Sequence, residues 1–402
     1  MTAQYDFIAT TAFGLEAIVA REITSLGFDQ PTIEDGRVRF RGELSAICQT
    51  NLWLRSAERV QLVVGEFDAF NFDDLFDTTK ELHWEEWLPV DAKFPVFARC
   101  VRSNINSPRN VQKMVKRAIV ERLRKIYLRH RFAEEGTQYD IECAIIRNKV
   151  VLMIDTTGEG LHKRGYRRLV GAAPLRETVA AALVQLSYWN PQRFLVDPFC
   201  GSGTIAIEAA SIGRNLAPGR DRSFAAENWG QVDAKLWTEA RQAARDQMRP
   251  GLPIRIMARD RDPDMIRIAK QNAKAAGVFA DILFESKDFI AFPSDRDYGC
   301  TICNPPFGER IGEKKEVSQL HMDMGEIMRP LETWSHYIFT SADRFEREFG
   351  RRADRRRKIF SAKIPCTYYQ YLGPPPPGDR STDVDSEAKP AHGDSDKGDM
   401  SG

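Results

Sequence analysis

From about residue 163 onward, short apolar runs alternate with amphipathic stretches, and this alternation constrains the fold more than any other feature of the chain. Periodicity predicts helices over 173–187, 203–211 and 263–276, and buried strands over 194–196, 254–258, 281–284 and 299–303. Strands and helices in strict turn bury each other when the strands form a mostly parallel sheet with helices on both faces. Ligands of such a sheet belong at the C-terminal ends of its strands, where the loops cluster.

The first of those ends reads DPFCGSGT, from Asp197 through Cys200, Gly201, Ser202 and Gly203 to Thr204. Glycines there let the backbone approach a ligand closely, and the helix that follows offers free N–H groups. No Gly-Lys-Ser/Thr follows, so it is not a phosphate loop, and it lacks the full G-x-G-x-x-G of a dinucleotide fold. The next strand ends at Asp260, whose carboxylate suits the two hydroxyls of a ribose, while Asp262 before Pro263 suits a helix N-cap. Asp260 lies 57 residues after Gly203, which makes 212–250 an insertion. After the third strand, Asp288 could accept from an adenine amino group and Phe289 could pack on the base; a polar loop end beside a core ring is the other reading.

The fourth strand runs into Asn304-Pro305-Pro306-Phe307. The Asn304 side-chain carbonyl and the Pro305 main-chain carbonyl are placed to hold the two hydrogens of an exocyclic amine. Held in this way, the nitrogen leaves conjugation with its ring and its lone pair can reach an electrophilic methyl group. The prolines, Pro306 included, stiffen the loop, and Phe307 can stack on a heterocycle drawn out of its helix. No strong base is required, because the amine becomes acidic once methylated.

Upstream, the first 70 or so residues read as a small α/β unit, with strands over 5–10 and 37–40 flanking a helix over 14–25. Residues 72–156 form another, with strands over 94–100, 139–146 and 149–155 and a helix opening at Pro108. That helix carries an apolar stripe and a basic remainder including Lys113, Lys116, Arg117, Arg124 and Lys125, a set that could meet phosphates or simply face solvent. Arg351, Arg352, Arg355 and Arg356 form a second basic stretch. The net charge of +1 conceals an acidic tail: residues 379–402 hold seven acidic and three basic groups, leaving about +5 on the rest. The stretch from Gly373, rich in Pro, Gly, Ser and Asp, is expected to be disordered. Seven scattered cysteines fit reduced thiols, and the lone pair Cys300 and Cys303 has no second pair to complete a metal site, so no metal is expected. No apolar run is long enough to span a bilayer and the N-terminus lacks the regions of a signal peptide, so a cytoplasmic protein without membrane contact is expected.

Taken together, DPFCGSGTIAIEAA and NPPFGER resemble the class I S-adenosylmethionine-dependent methyltransferases that act on exocyclic amines. HKRGYRRLVGAAPLRETVAAAL, from His162 to Leu183, narrows the resemblance to RNA guanine-N2 methyltransferases carrying a THUMP domain, and in particular to the N-terminal half of the bacterial 23S rRNA enzyme. The resemblance implies an α/β fold: a ferredoxin-like domain over 1–71, a THUMP RNA-binding domain over 72–156, a Rossmann-like methyltransferase domain over 163–373 and an acidic tail over 374–402. It also implies S-adenosyl-L-methionine as cofactor. Its methionine part would be held by the turn from Asp197 to Thr204 with Thr178, its ribose by Asp260 and its adenine by Asp288 and Phe289, leaving Asn304 to Phe307 for the target base. Phe307 stands where many relatives have Tyr. The expected partner is 23S rRNA, with tRNA the close rival and no obligate protein partner. Because the chain ends before any second catalytic domain, only guanine-N2 activity is expected. DNA adenine-N6 methylation and a non-catalytic RNA-binding assembly factor are the remaining readings.

Overall fold

The computed structural model describes residues 3–167, 175–292, 295–306, 313–361 and 364–377. The tail from residue 378 lies outside these. Among the described residues no helix is long and apolar enough to cross a membrane.

The N-terminal half runs β1 (Tyr5–Thr11), α1 (Glu16–Ser25), β2 (Thr32–Glu34), β3 (Arg37–Gly42), α2 (Ser45–Trp53) and β4 (Ala57–Asp68). It continues through α3 (Phe72–Glu81), β5 (Val96–Val101), α4 (Pro108–Tyr127), β6 (Ile141–Ile146) and β7 (Lys149–Asp155). All seven strands lie in one sheet, ordered β2-β3-β1-β4-β7-β6-β5. The 12-residue β4 joins its two parts by pairing antiparallel with β1 on one side and β7 on the other. Alternation along the strands decides which residues go inside: Val60 and Leu62 of β4 and Val150, Leu152 and Ile154 of β7 reach the same core as the α4 stripe of Val111, Val115, Ile119 and Leu123. Pro108 takes the first turn of α4, where its missing N–H costs nothing.

The C-terminal half comprises α5 (Glu177–Gln185), β8 (Leu195–Asp197), α6 (Thr204–Gly213), α7 (Ala234–Asp246), β9 (Ile256–Asp260), α8 (Pro263–Ala275) and β10 (Ile282–Ser286). It ends with β11 (Cys300–Cys303), α9 (Glu313–Met328), β12 (Ser335–Thr340), α10 (Phe345–Phe349), β13 (Arg355–Ser361) and β14 (Ile364–Tyr371). The strand order is β10-β9-β8-β11-β12-β14-β13, with β8 to β12 parallel and β14 antiparallel to both neighbours. Both faces are covered as the alternation requires. Leu195, Ile256 and Ile302 enter one core with α5, α6 and α8, while Val196, Met257 and Cys303 enter another with α9 and α10.

The 212–250 insertion has a structural task that its sequence does not announce. Phe224, Trp229, Val232 and Trp237 belong to the N-terminal core, and Trp229 stacks on Tyr139 at 5.0 Å. The Gly219 N–H donates to the Leu52 carbonyl (2.9 Å), and the Arg55 guanidinium donates to the Leu216 carbonyl (2.8 Å). The insertion therefore fastens the two halves together.

A second junction centres on Glu58 of β4. Its carboxylate accepts from the Thr178 hydroxyl (2.7 Å), lies 3.0 Å from His162 Nδ1 and pairs with Arg176 at 3.3 Å. Burial by itself would raise this carboxyl, but the bonds from His162 and Thr178 and the Arg176 charge outweigh it and hold the group at about 2. A depressed acid contributes stability that is present above its unfolded value and lost as pH falls through its folded one. The wild type should therefore lose up to about 3 kcal/mol of stability relative to Glu58→Gln between pH 4.5 and 2. Denaturant melts of both proteins across that range test this; an equal stability gap at both ends would rule out the linkage.

Candidate functional site

The strand ends place the sequence-selected residues side by side. Thr301 of β11 pairs with Val196 of β8, Asp197 pairs with Ala258 of β9, and Asp260 pairs with Ser286 of β10. Asp197, Asp260, Asp288 and Asn304 thus share one edge of the sheet.

The turn after β8 is built for close approach. Gly201 has φ +50 and Gly203 φ +85, a region that side chains disfavour. A Cβ at Gly203 would also meet Ala269 of α8 at 3.0 Å, whereas nothing stands within 4 Å of one at Gly201. The turn is pinned from three sides: the Cys200 N–H donates to the Arg259 carbonyl (2.8 Å), the Gly201 N–H to Asp260 Oδ2 (2.9 Å), and Asn272 of α8 to the Ser202 carbonyl (3.0 Å). Ser202 and Thr204 lie with their hydroxyls 3.3 Å apart. Gly203 caps α6 without a side chain, leaving the first N–H groups of that helix to a ligand.

Asp197 is buried and, among the described residues, has no ion pair; its Oδ1 accepts from the Phe199 N–H at 3.3 Å. Burial pushes this carboxyl well above the usual range, and the nearby Asp260 charge adds to the shift. A cationic ligand would relieve both effects. Asp260 uses one oxygen on Gly201 and the other on the Asp262 N–H (3.0 Å), and each keeps a lone pair for a ligand hydroxyl. Asp262 caps α8 through the Asp264 N–H, as its position before Pro263 predicts.

Asp288 is exposed and accepts from the Ile290 N–H (3.0 Å). Phe289 follows the core-ring reading: it is buried, stacked on Phe199 at 5.2 Å and close to Phe292. The exposed apolar side chain of that loop is Ile290, at 73 %.

Asn304 follows the buried β11, and its Oδ1 is shielded from solvent with no hydrogen-bond partner among the described residues. A buried carbonyl left unpaired costs about 1–3 kcal/mol, so this oxygen is a candidate acceptor for a ligand N–H. Pro305 is buried and Pro306 exposed. The stacking residue expected at Phe307 lies outside the described residues.

Thr178 is fully buried, and its hydroxyl is committed to Glu58. The sequence reading passed over Arg167, which donates to the Thr204 hydroxyl (2.8 Å) and the Leu175 carbonyl (2.6 Å) and lies 3.4 Å from Glu177. Its only signal was the basic run HKRGYRR ahead of α5.

On α4, Lys113 and Lys125 are exposed without a partner among the described residues, Arg117 lies over the Phe76 ring and Arg124 pairs with Glu121. Lys116 must be removed from the exposed basic set. Its ammonium donates to Glu134 (2.7 Å) and the Phe94 carbonyl (3.0 Å), over the Phe94 ring. On and beside β13, Arg351 pairs with Asp354 and Arg356 with Glu346, while Arg352 and Arg355 are exposed and without a partner among the described residues.

With this geometry in hand, comparison with known proteins is informative. Three family models match: the RlmL ferredoxin-like domain over residues 6–61, the THUMP domain over 69–155 and the RMKL-like methyltransferase domain over 164–370. The chain is 44% identical over 370 residues to the Bacillus subtilis protein named "Putative RNA methyltransferase YpsC", covering 92% of this chain and 96% of that one. It is 33% identical over 373 residues to the ribosomal RNA large subunit methyltransferase K/L of Aliivibrio fischeri, covering 91% of this chain but 53% of that protein. Among solved structures, a Listeria monocytogenes protein described as a predicted N6-adenine-specific DNA methylase superposes with TM-score 0.88 at 46% identity, over 92% of this chain and 97% of that one. The structure of SMU.472 complexed with SAH superposes with TM-score 0.87 at 40% identity, over 93% of this chain and all of that one.

Proposed function

The chain belongs to the RMKL-like methyltransferase family, and from that premise we propose that it methylates the exocyclic N2 of a guanine in 23S rRNA, with S-adenosylmethionine as donor. Asn304 Oδ1, shielded from solvent and without a partner among the described residues, carries this reading. It sits where a guanine amino group extruded toward the strand ends would supply the missing hydrogen.

The cofactor supplies an electrophilic methyl group. Asp260 would hold its ribose hydroxyls, the turn 201–204 would admit its backbone-sized portion, and Asp197 would face its cationic part. Asn304 Oδ1 and the Pro305 carbonyl each accept one N2 hydrogen, turning the nitrogen lone pair out of the ring's π system. The lone pair so exposed would take the methyl group that the bound cofactor supplies, and the nitrogen would give up one of its hydrogens as a proton to solvent.

The THUMP match and the likeness to the large-subunit rRNA enzyme support RNA over DNA. Labelled S-adenosylmethionine, the full chain and total RNA from a strain lacking its gene should give N2-methylguanosine in the large rRNA. Product in the tRNA fraction would move the target; N6-methyladenosine in the RNA, or N6-methyldeoxyadenosine when DNA is supplied instead, would overturn the reading.

Two further outcomes follow from the same residues. Asp260→Asn should weaken binding of S-adenosylmethionine roughly 10- to 100-fold by calorimetry, the range expected when hydrogen bonds to a charged group become neutral ones; unchanged affinity would remove Asp260 from the ribose site. Neutralising Arg351, Arg352, Arg355 and Arg356 should lower the slope of log affinity for RNA against log salt by about 1–2, because the unpartnered Arg352 and Arg355 would each release counterions. An unaltered slope would leave them a solvated edge.

A further inference from the structure

A cavity of about 440 Å3 lies where the two halves meet, lined by no residue of the glycine turn. Thr11, Phe13 and Glu58 line it from the N-terminal half, and Arg176, Val179 and Phe360 from the C-terminal half. Its size falls within the roughly 300–1,000 Å3 typical of small-ligand sites.

Phe13 is the unusual element. It is 51 % exposed, yet it is not on a loose loop. The Phe13 carbonyl accepts from the Phe360 N–H (3.2 Å), and a Cβ at the adjacent Gly14 (φ +94) would stand 2.2 Å from the Lys358 carbonyl. The β1–α1 loop is therefore pressed against β13, with the Phe13 ring edge-on to Phe360 at 5.8 Å. A large apolar ring held rigid, exposed and facing a cavity is a stacking platform in search of a flat partner.

Arg176 supplies the polar counterpart. Its side chain is 44 % exposed and spends one ion pair on Glu58, which leaves other guanidinium donors facing outward. Two residues before Phe360, on the same face of β13, Lys358 is exposed and basic.

A chain of contacts leads from this cavity to the glycine turn. Arg176 lines it, the next residue Glu177 contacts Arg167, and Arg167 donates to Thr204 in the glycine turn. Extruding one base from an RNA strand breaks its stacking with both neighbours, so an enzyme that does this gains by offering a neighbour a new stacking surface.

We propose that this cavity holds a nucleotide of the RNA strand adjacent to the methylated one, its base on Phe13 against the edge of Phe360 and its phosphate toward Arg176 and β13. The inference rests on the RNA methyltransferase reading above.

The test uses the full chain without S-adenosylmethionine and a short single-stranded oligoribonucleotide carrying 2-aminopurine at each position in turn. Wild type should quench the fluorophore at one position. Phe13→Ala should abolish that quenching and weaken binding roughly 5- to 100-fold, the cost of one lost base–aromatic stack. Phe13→Trp should retain both effects, and Arg176→Gln should weaken binding more than Arg176→Lys. Thermal melts of each variant separate these effects from unfolding. Quenching is read without cofactor or methyl transfer, so a failure of the methylation chemistry would be seen in the product assay and not here. Quenching and affinity unchanged in a folded Phe13→Ala protein would overturn the proposal. So would a free 2-aminopurine mononucleotide binding as tightly as the oligonucleotide, which would make this a site for free nucleotides.

Discussion

Asn304→Ala is expected to lower the rate of methyl transfer to RNA about 1000-fold while leaving affinities for S-adenosylmethionine and RNA nearly unchanged. The magnitude is the upper end of the roughly 10²- to 10³-fold cost of deleting one preorganised polar group aimed at developing charge. The argument is differential. Asn304 Oδ1 is shielded from solvent without a partner among the described residues, so on the proposed reading its interaction is made with the substrate amine and strengthens as that nitrogen gains positive charge. Alanine also removes the cost of the orphaned carbonyl, so the variant should fold at least as stably as wild type. Single-turnover rates with saturating RNA and cofactor separate chemistry from binding. A variant that binds more weakly but turns over at the wild-type rate would show that Asn304 anchors the base and does not act on the nitrogen.

Trp229→Ala should cost about 3–5 kcal/mol in chemical denaturation, the largest loss of stability expected from any residue in the insertion. Its ring is 2 % exposed and stacked on Tyr139, and the adjacent Gln231 donates to the Trp87 carbonyl at 2.7 Å, so truncation leaves a void at the seam between the halves. The indole N–H has no partner among the described residues. Trp229→Phe should therefore lose far less, since it keeps the stack and gives up no hydrogen bond. Because the seam fixes the THUMP unit against the catalytic domain, the alanine variant should also lose RNA affinity under conditions where it remains folded. A cost below about 1 kcal/mol would mean that the insertion merely covers the surface.

Many elements of both halves were legible in the chain. β7 falls on residues 149–155 as the apolar run predicts, α4 begins at Pro108, and α8 begins behind its Asp262 cap. Each of these signals is local: a periodicity, a ring that fixes φ, a carboxylate that reaches two residues on. The C-terminal hairpin was missed because β13 begins Arg-Arg-Arg-Lys and presents all four to solvent, so no alternation marks it as a strand. An edge strand needs none, since its pairing with β14 comes from the backbone.

The site divides along the same line. That Asp197, Asp260 and Asn304 would gather at one edge followed from their places after successive parallel strands, because parallel strands deliver their C-terminal ends to a common side. What surrounds each residue did not follow. Phe289 lies in the core because Phe199, 90 residues earlier, stacks on it, and Lys116 is withdrawn from the surface because Glu134 and Phe94 lie across from it. The sequence by itself determined the order of elements, the chemistry carried to the strand ends and the glycines of the turn, since backbone preference and hydrophobic period act over a few residues. Only the tertiary structure decided that two N-terminal units share one sheet, that an insertion fastens the halves, and that Phe13 and Arg176 face one cavity. Those contacts join segments far apart in the chain, 81 residues between Asp68 and Lys149 of the shared sheet and 167 between Leu52 and Gly219, and burial energy depends on which surfaces meet, a quantity that no local pattern encodes.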